Sequence, residues 1–235
     1  AASVQVVLSL LRPLVDFIFP STCVACSRLL SDAERHVCRV CWHSIPRLNQ
    51  DHPLFVDTKQ KLLDSGVVTD LVSFFLFEKE GVFQHLAHAL KYDGFESVGT
   101  LLGRELGKAM VERGVGGDII VPIPLHKAKL RERGFNQAEA IARGVSEITG
   151  IPVRADLVLR RRATKTQTKL GITERQKNVD DAFEVTDKEV ECIEGKVCIL
   201  IDDVITTGAT IASCAKSLIE RGAARVVAAS AALAE

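Results

Sequence analysis

Residues 195–204, GKVCILIDDV, restrict the fold more than any other stretch of the chain. Val197 to Ile201 are apolar in succession, so a strand built from them has two apolar faces and must be covered on both. That is the situation of an inner strand in a parallel sheet with helices above and below. The neighbouring segments fit the same plan. Residues 70–80, DLVSFFLFEKE, read as a strand apolar on both faces. Residues 82–94 and 98–114 read as helices, stopped at Gly94 and Gly114. A short buried strand follows at 117–125, closed by two prolines, and then a helix at 135–150 with Gly150 as its stop. After 195–204 come a helix at 209–222 and a last strand at 224–233. Residues 155–185 have no clean period. The expected fold class is therefore α/β, a mostly parallel sheet flanked by helices.

In sheets of this kind ligands sit beyond the carboxyl ends of the strands, which directs attention to Asp202-Asp203 and the turn that follows. Thr206, Thr207, Gly208, Ala209 and Thr210 offer hydroxyls, successive backbone N–H groups and the positive end of a helix dipole, together a phosphate cradle. The two carboxylates would repel a phosphate beside them, but a carboxylate accepts two hydrogen bonds from a vicinal diol. A ribose 5-phosphate satisfies both halves. A simple helix cap explains one threonine and one acid, not two adjacent acids at the end of a buried strand. The stretch is not a Walker A loop, because GxxxxGK[ST] is missing from it.

Near the front, Cys23 and Cys26, then eleven residues, then Cys38 and Cys41 form two CxxC pairs. Two such knuckles place four thiolates where tetrahedral Zn²⁺ can take all of them. Paired CxxC disulfides would be strained. A site of four cysteines has no open coordination position and is structural, supplying the folding energy that so small a module lacks. His36 and His43 then read as surface or supporting groups, and Cys192, Cys198 and Cys214 as buried small hydrophobes.

Lys and Arg number 30 and Asp and Glu 30, so overall charge does not single out a nucleic-acid binder. The balance is uneven along the chain: Lys127 to Lys177 holds 13 basic and 5 acidic residues, whereas residues 178–195 carry seven acids and one lysine. The middle of the chain is an anion-binding candidate. Residues 1–19 are apolar, but Arg12, Pro13 and Asp16 interrupt them, and an amphipathic helix packed on the body is expected, with a weak membrane-surface contact as the alternative. A soluble, cytoplasmic protein without a membrane span is expected.

Residues 198–210, CILIDDVITTGAT, resemble the phosphoribosyl pyrophosphate (PRPP) motif of type I phosphoribosyltransferases, with Ala209 where many members have glycine. FIFP before the cysteine knuckles, HALKYDG at 88–94, RERGFNQ at 131–137 and the series Thr166, Gln167, Leu170, Arg175, Asn178 extend the resemblance over nearly the whole chain to the ComF family. The resemblance implies a type I phosphoribosyltransferase fold with an N-terminal helix and zinc module over residues 1–50 and the transferase-like domain over 68–235. It implies that Asp202 and Asp203 contact the ribose of PRPP, near which Mg²⁺ would lie, and that Thr206, Thr207, Gly208, Ala209 and Thr210 bind its 5-phosphate. Arg131 and Arg133 with Asn136 and Gln137 are the choices for polyphosphate contacts, and Lys127 and Lys129 add charge there. Residues 160–178 have the length and polarity of a lid, from which Arg160, Arg161, Lys165, Lys169 and Arg175 would reach pyrophosphate. The family is associated with natural transformation and the handling of single-stranded DNA. A PRPP-binding DNA-uptake factor is the expected function; an active phosphoribosyltransferase of nucleotide metabolism, its acceptor a base or amine, is the alternative.

Overall fold

The computed structural model describes residues 21–161, 182–186 and 190–235. The expected N-terminal helix, and Lys165, Thr166, Gln167, Lys169, Leu170, Arg175 and Asn178, lie outside the described residues.

The first described part is a small cysteine module with short bridges Thr22–Leu29 and Arg35–Val37, ending in helix α1, Arg39–Ser44. Helix α2, Pro53–Asp64, leads into β1, Asp70–Leu76. Then come α3, Val82–Tyr92, α4, Glu96–Glu112, β2, Ile119–Pro122, α5, Lys127–Arg133, and α6, Gln137–Thr149. The chain continues through β3, Val158–Arg160, β4, Phe183–Val185, α7, Val190–Ile193, β5, Val197–Ile205, α8, Ala209–Glu220, and β6, Arg225–Leu233.

Strands β1, β6, β5 and β2 form a sheet in that order, every pair parallel. Inside 155–185, where the sequence shows no period, β3 and β4 pair antiparallel as a separate ribbon. Three-residue strands are too short to show alternation, which is why they escape sequence reading.

Successive side chains of a strand point to opposite faces. Val72, Ile120, Ile199, Ile201, Val227 and Ala229 face one layer, with α3, α4, α6 and the cysteine module. Leu71, Val121, Cys198, Leu200, Val226 and Ala228 face the other, with Phe55 and Leu62 of α2, Ile211 and Cys214 of α8, and Val158 and Val185 of the ribbon. The buried module residues Cys23, Val37, Cys38, Cys41 and Ile45 join the same apolar cluster as Val72 and Phe75 of the sheet. Trp42 meets Phe75 edge to face, centroids 5.5 Å apart.

Helices α4 and α6 approach closely along glycines. A methyl group at Gly103 would stand 2.0 Å from the Ile141 carbonyl oxygen, and one at Gly144 2.2 Å from that of Thr100. Among the described residues, no helix is long and apolar enough to cross a membrane.

Candidate functional site

Strand β2 stops pairing at Pro122, opposite Ile201, whereas β5 stays paired with β6 as far as Ile205 opposite Leu233. Beyond Ile201, therefore, β5 runs on with its β2 side open. Helix α6, which follows β2 and α5, packs on one face of the sheet and α8, which follows β5, on the other. Such a divergence opens a crevice at the carboxyl ends of two neighbouring strands, the usual ligand position in open α/β sheets. Asp202 and Asp203 line this open edge. They lie within β5 rather than at its last residue.

The pleat sends the two acids to opposite sides. Asp203 turns toward α3, where Lys91 forms an ion pair with its Oδ2. Asp202 turns toward the α8 layer, where Arg160 and Cys214 act on it electrostatically. Its Oδ1 accepts the Asp203 backbone N–H at 2.9 Å. Burial, and next the charge of Asp203, push the Asp202 carboxyl up to about 8. A ligand using both acids must therefore straddle the sheet edge.

The turn after β5 is exposed at Thr206, Thr207 and Ala209, while Gly208 is buried. Gly208 is the N-cap of α8 with φ 75°, a left-handed conformation, and a Cβ there would fall 2.8 Å from Leu62 Cδ2. Thr207 Oγ1 accepts from the Ala209 backbone N–H at 3.4 Å. With Thr210 this leaves hydroxyls and first-turn N–H groups at the mouth of the crevice, an arrangement suited to an anion.

The basic stretch after β2 is helical. His126 caps α5, its Nδ1 accepting from the Ala128 N–H at 3.2 Å, and left-handed Gly134 ends it. Lys127, Lys129 and Arg131 are exposed on it. Arg133 is held in place: its Nη1 donates to Gln137 Oε1 at 2.7 Å, and its guanidinium lies 5.6 Å from the ring centroid of Tyr92. Asn136 and Gln137, expected as phosphate contacts, are engaged within the fold. Asn136 Oδ1 caps α6 by accepting the Ala138 N–H at 3.2 Å, and its Nδ2 donates to the Ile123 carbonyl at 3.0 Å. Gln137 is buried beneath Arg133. These two residues thus shape the loop and orient a guanidinium.

Arg160, in β3, lies over Phe183 at 5.2 Å, and burial lowers its pKa against the opposing pull of Asp202. Arg161 forms an ion pair with Glu184 of the partner strand. Of the ribbon's two arginines, Arg160 therefore faces the crevice acids. Lys91 and Tyr92 were not among the sequence candidates. HALKYDG contains them, but a helical lysine carries no signal of the acid it meets more than a hundred positions later.

The cysteine module has the geometry of a metal centre. The sulfurs of Cys23, Cys26, Cys38 and Cys41 all lie within 4.8 Å of one another, and Cys26 and Cys38 are 3.7 Å apart. Zn–S bonds of about 2.3 Å in a tetrahedron require sulfurs about 3.8 Å apart, so the donor set fits zinc. Cys23 Sγ accepts the Cys38 N–H at 3.3 Å, and Cys38 Sγ the Cys41 N–H at 3.5 Å. Burial raises the Cys23 thiol, but backbone N–H groups led by that of Cys38 outweigh it and bring it down to about 6. The Cys38 thiol is lowered by the Cys41 N–H, whereas burial and neighbouring sulfurs raise Cys41. Glu34 braces the knuckle, accepting from Ser31 N–H at 3.0 Å and Arg39 N–H at 2.6 Å. Exposed His43 stays apart from the sulfurs, while His36 Nε2 meets Ser97 Oγ at 2.6 Å and its ring lies 4.9 Å from that of Phe95. Cys198 and Cys214 are buried as expected, but Cys192 is partly exposed, its sulfur accepting from Arg154 Nη1 at 3.3 Å.

A parallel sheet with an acid-and-threonine crevice, joined to a four-cysteine module, defines the class: a phosphoribosyltransferase-type domain carrying a zinc ribbon. Residues 130–234 match the phosphoribosyl transferase domain and residues 14–52 the double zinc ribbon domain. Both matches fall in this one chain. It is similar to the DNA utilization protein YhgH of Escherichia coli K12, 33% identical over 146 residues, 60% of this chain and 63% of that protein. It is also similar to competence protein F of Haemophilus influenzae, 34% identical over 45% of each chain. Competence protein ComFC of Bacillus subtilis is 38% identical over 46% of this chain and 41% of its own. The chain thus spans between two fifths and two thirds of the length of these relatives. Among solved structures, the glutamine PRPP amidotransferase of B. subtilis complexed with ADP and GMP aligns with a TM-score of 0.41 and 23% identity, over 58% of this chain and 26% of that one.

Proposed function

We propose that this chain is a PRPP-binding, phosphoribosyltransferase-like protein of natural transformation, serving DNA uptake and handling imported single-stranded DNA. The observation that carries the ligand assignment is the stretch of β5 beyond its pairing with β2, where the acid pair leads directly into the threonine turn. Asp202 and Asp203 accept the ribose hydroxyls, and Thr206 to Thr210 receive the 5-phosphate. Arg131, Arg133 and Arg160 face the pyrophosphate, since guanidinium groups match phosphate geometry. Mg²⁺ enters with the ligand, because this ion binds through few carboxylates together with substrate phosphates. In turnover, those cations would stabilise departing pyrophosphate while an acceptor attacks ribose C1. The same reading divides the chain into a structural zinc module, 1–50, and a transferase-like domain, 68–235, in the cytoplasm.

The DNA role is supported by the relatives' names and by the basic surplus between Lys127 and Lys177. Calorimetry with PRPP and Mg²⁺ tests the ligand: binding by the wild type, lost in Asp202→Asn/Asp203→Asn with the fold intact, is expected, and unchanged affinity refutes the ribose assignment. Release of pyrophosphate across a panel of bases and amines decides turnover. For DNA, affinity for a single strand should fall linearly in log salt, with a slope of about −0.7 per phosphate contact; a flat line ends that part of the proposal.

A further inference from the structure

Lys91 forms an ion pair with Asp203, one of the two crevice acids. Its position is fixed by packing rather than by the charge. Leu86 and Leu90 of the same helix are buried, and Phe83 packs on Phe75 of the sheet. The next residue, Tyr92, lies against Arg133. Helix α3 thus ends between the acid edge of β5 and the basic helix α5. The Lys91 side chain is a quarter exposed and that of Asp203 18%, so the pair is largely hidden, where charge is weakly screened. The other acid of this helix end, Asp93, is engaged by His88. A cation in the last turn of a helix is favoured anywhere near the end; this one reaches across to another element.

Two adjacent carboxylates are a poor reception for a phosphorylated sugar. We propose that Lys91 is a positioning residue of the crevice: its ammonium holds Asp203 toward the ligand's hydroxyls and offsets the negative charge that would otherwise repel the ligand's phosphates. This rests on the PRPP reading above. It makes α3, whose sequence bears no phosphate-binding pattern, part of the site. The role also carries a signature. A residue that only supports the fold affects every ligand alike, whereas one that offsets charge matters more as the ligand becomes more anionic.

The test is calorimetric, on the full chain, with ribose 5-phosphate and with PRPP in excess Mg²⁺, using Lys91→Met, Lys91→Gln and Lys91→Arg beside the wild type. Thermal unfolding checks each variant, and Lys91→Gln substitutes for Lys91→Met should the latter fail to fold. Expected are a loss of at least about tenfold for PRPP in the uncharged variants, a smaller loss for ribose 5-phosphate, and recovery to within about threefold in Lys91→Arg. Unchanged or tighter binding without the ammonium overturns the proposal while leaving the PRPP reading in place. Equal losses for both ligands, not restored by arginine, overturn it as well. A wild type that binds neither ligand removes the PRPP reading, and this role with it.

Discussion

At Asp202 one side chain carries both a cost to the fold and a candidate function. Its carboxyl is pushed up to about 8 by burial and by Asp203, so the folded chain holds a proton that the unfolded chain releases near pH 4. By linkage, this group favours folding fully only in acid, and its contribution is lost as pH rises from about 4 to about 8. Asp202→Asn should therefore stabilise the protein near neutrality, the gain over wild type widening across that window and vanishing toward pH 4. Urea unfolding at pH 5 and pH 8 checks this; an equal difference at both values contradicts it. Gly208 illustrates the reverse balance. With φ 75° and Leu62 against the place a methyl would take, Gly208→Ala should cost about 2 kcal/mol and distort the threonine turn, a loss measurable by urea unfolding.

Among the elements, what could be read from the sequence depended on length and on burial. The long strands announced themselves by unbroken apolar runs, and the helices at 82–92, 96–112, 137–149 and 209–220 by period and glycine stops. Helix α2 passed unnoticed although Leu62 supports the turn at Gly208, because that contact lies between positions far apart in the chain. Helix α5 has no sequence signal of its own, because charge hides the period of a seven-residue helix. In the site, Asp202, Asp203 and the threonine turn were legible as a motif. Their division between two layers was not, since it follows from the pleat and from which helices cover each face. Lys91 was illegible for the same reason. The glycine seam of α4 and α6 supplies a prediction at this scale: Gly103→Ala places a methyl 2.0 Å from a backbone oxygen and should destabilise by about 3 kcal/mol, read from the urea midpoint. A comparable change at Gly116, where nothing stands nearby, serves as the control.

For the molecule as a whole, the cysteine module is continuous with the core on one side of the sheet. Small metal modules draw their folding energy from the ion. Here the loss should spread, because Val37, Cys38, Cys41 and Ile45 cluster with Phe75 and Val72. Purified protein should contain about one zinc per chain. Chelation, or Cys38→Ser, should lower the melting temperature by more than about 10 °C in a transition shared by the sheet. A domain that melts unchanged after the metal is gone would show the two parts to be energetically separate.

The alternation along β5 has one further consequence. Asp202 belongs to the layer of α8 and Asp203 to that of α3, so an occupant holding both would act as a clasp across the sheet's rim. Prying the two layers apart would then require releasing the occupant first. Protection from hydrogen exchange on binding should consequently appear on both sides of the sheet at once, in α3 as well as α8, rather than around the threonine turn alone.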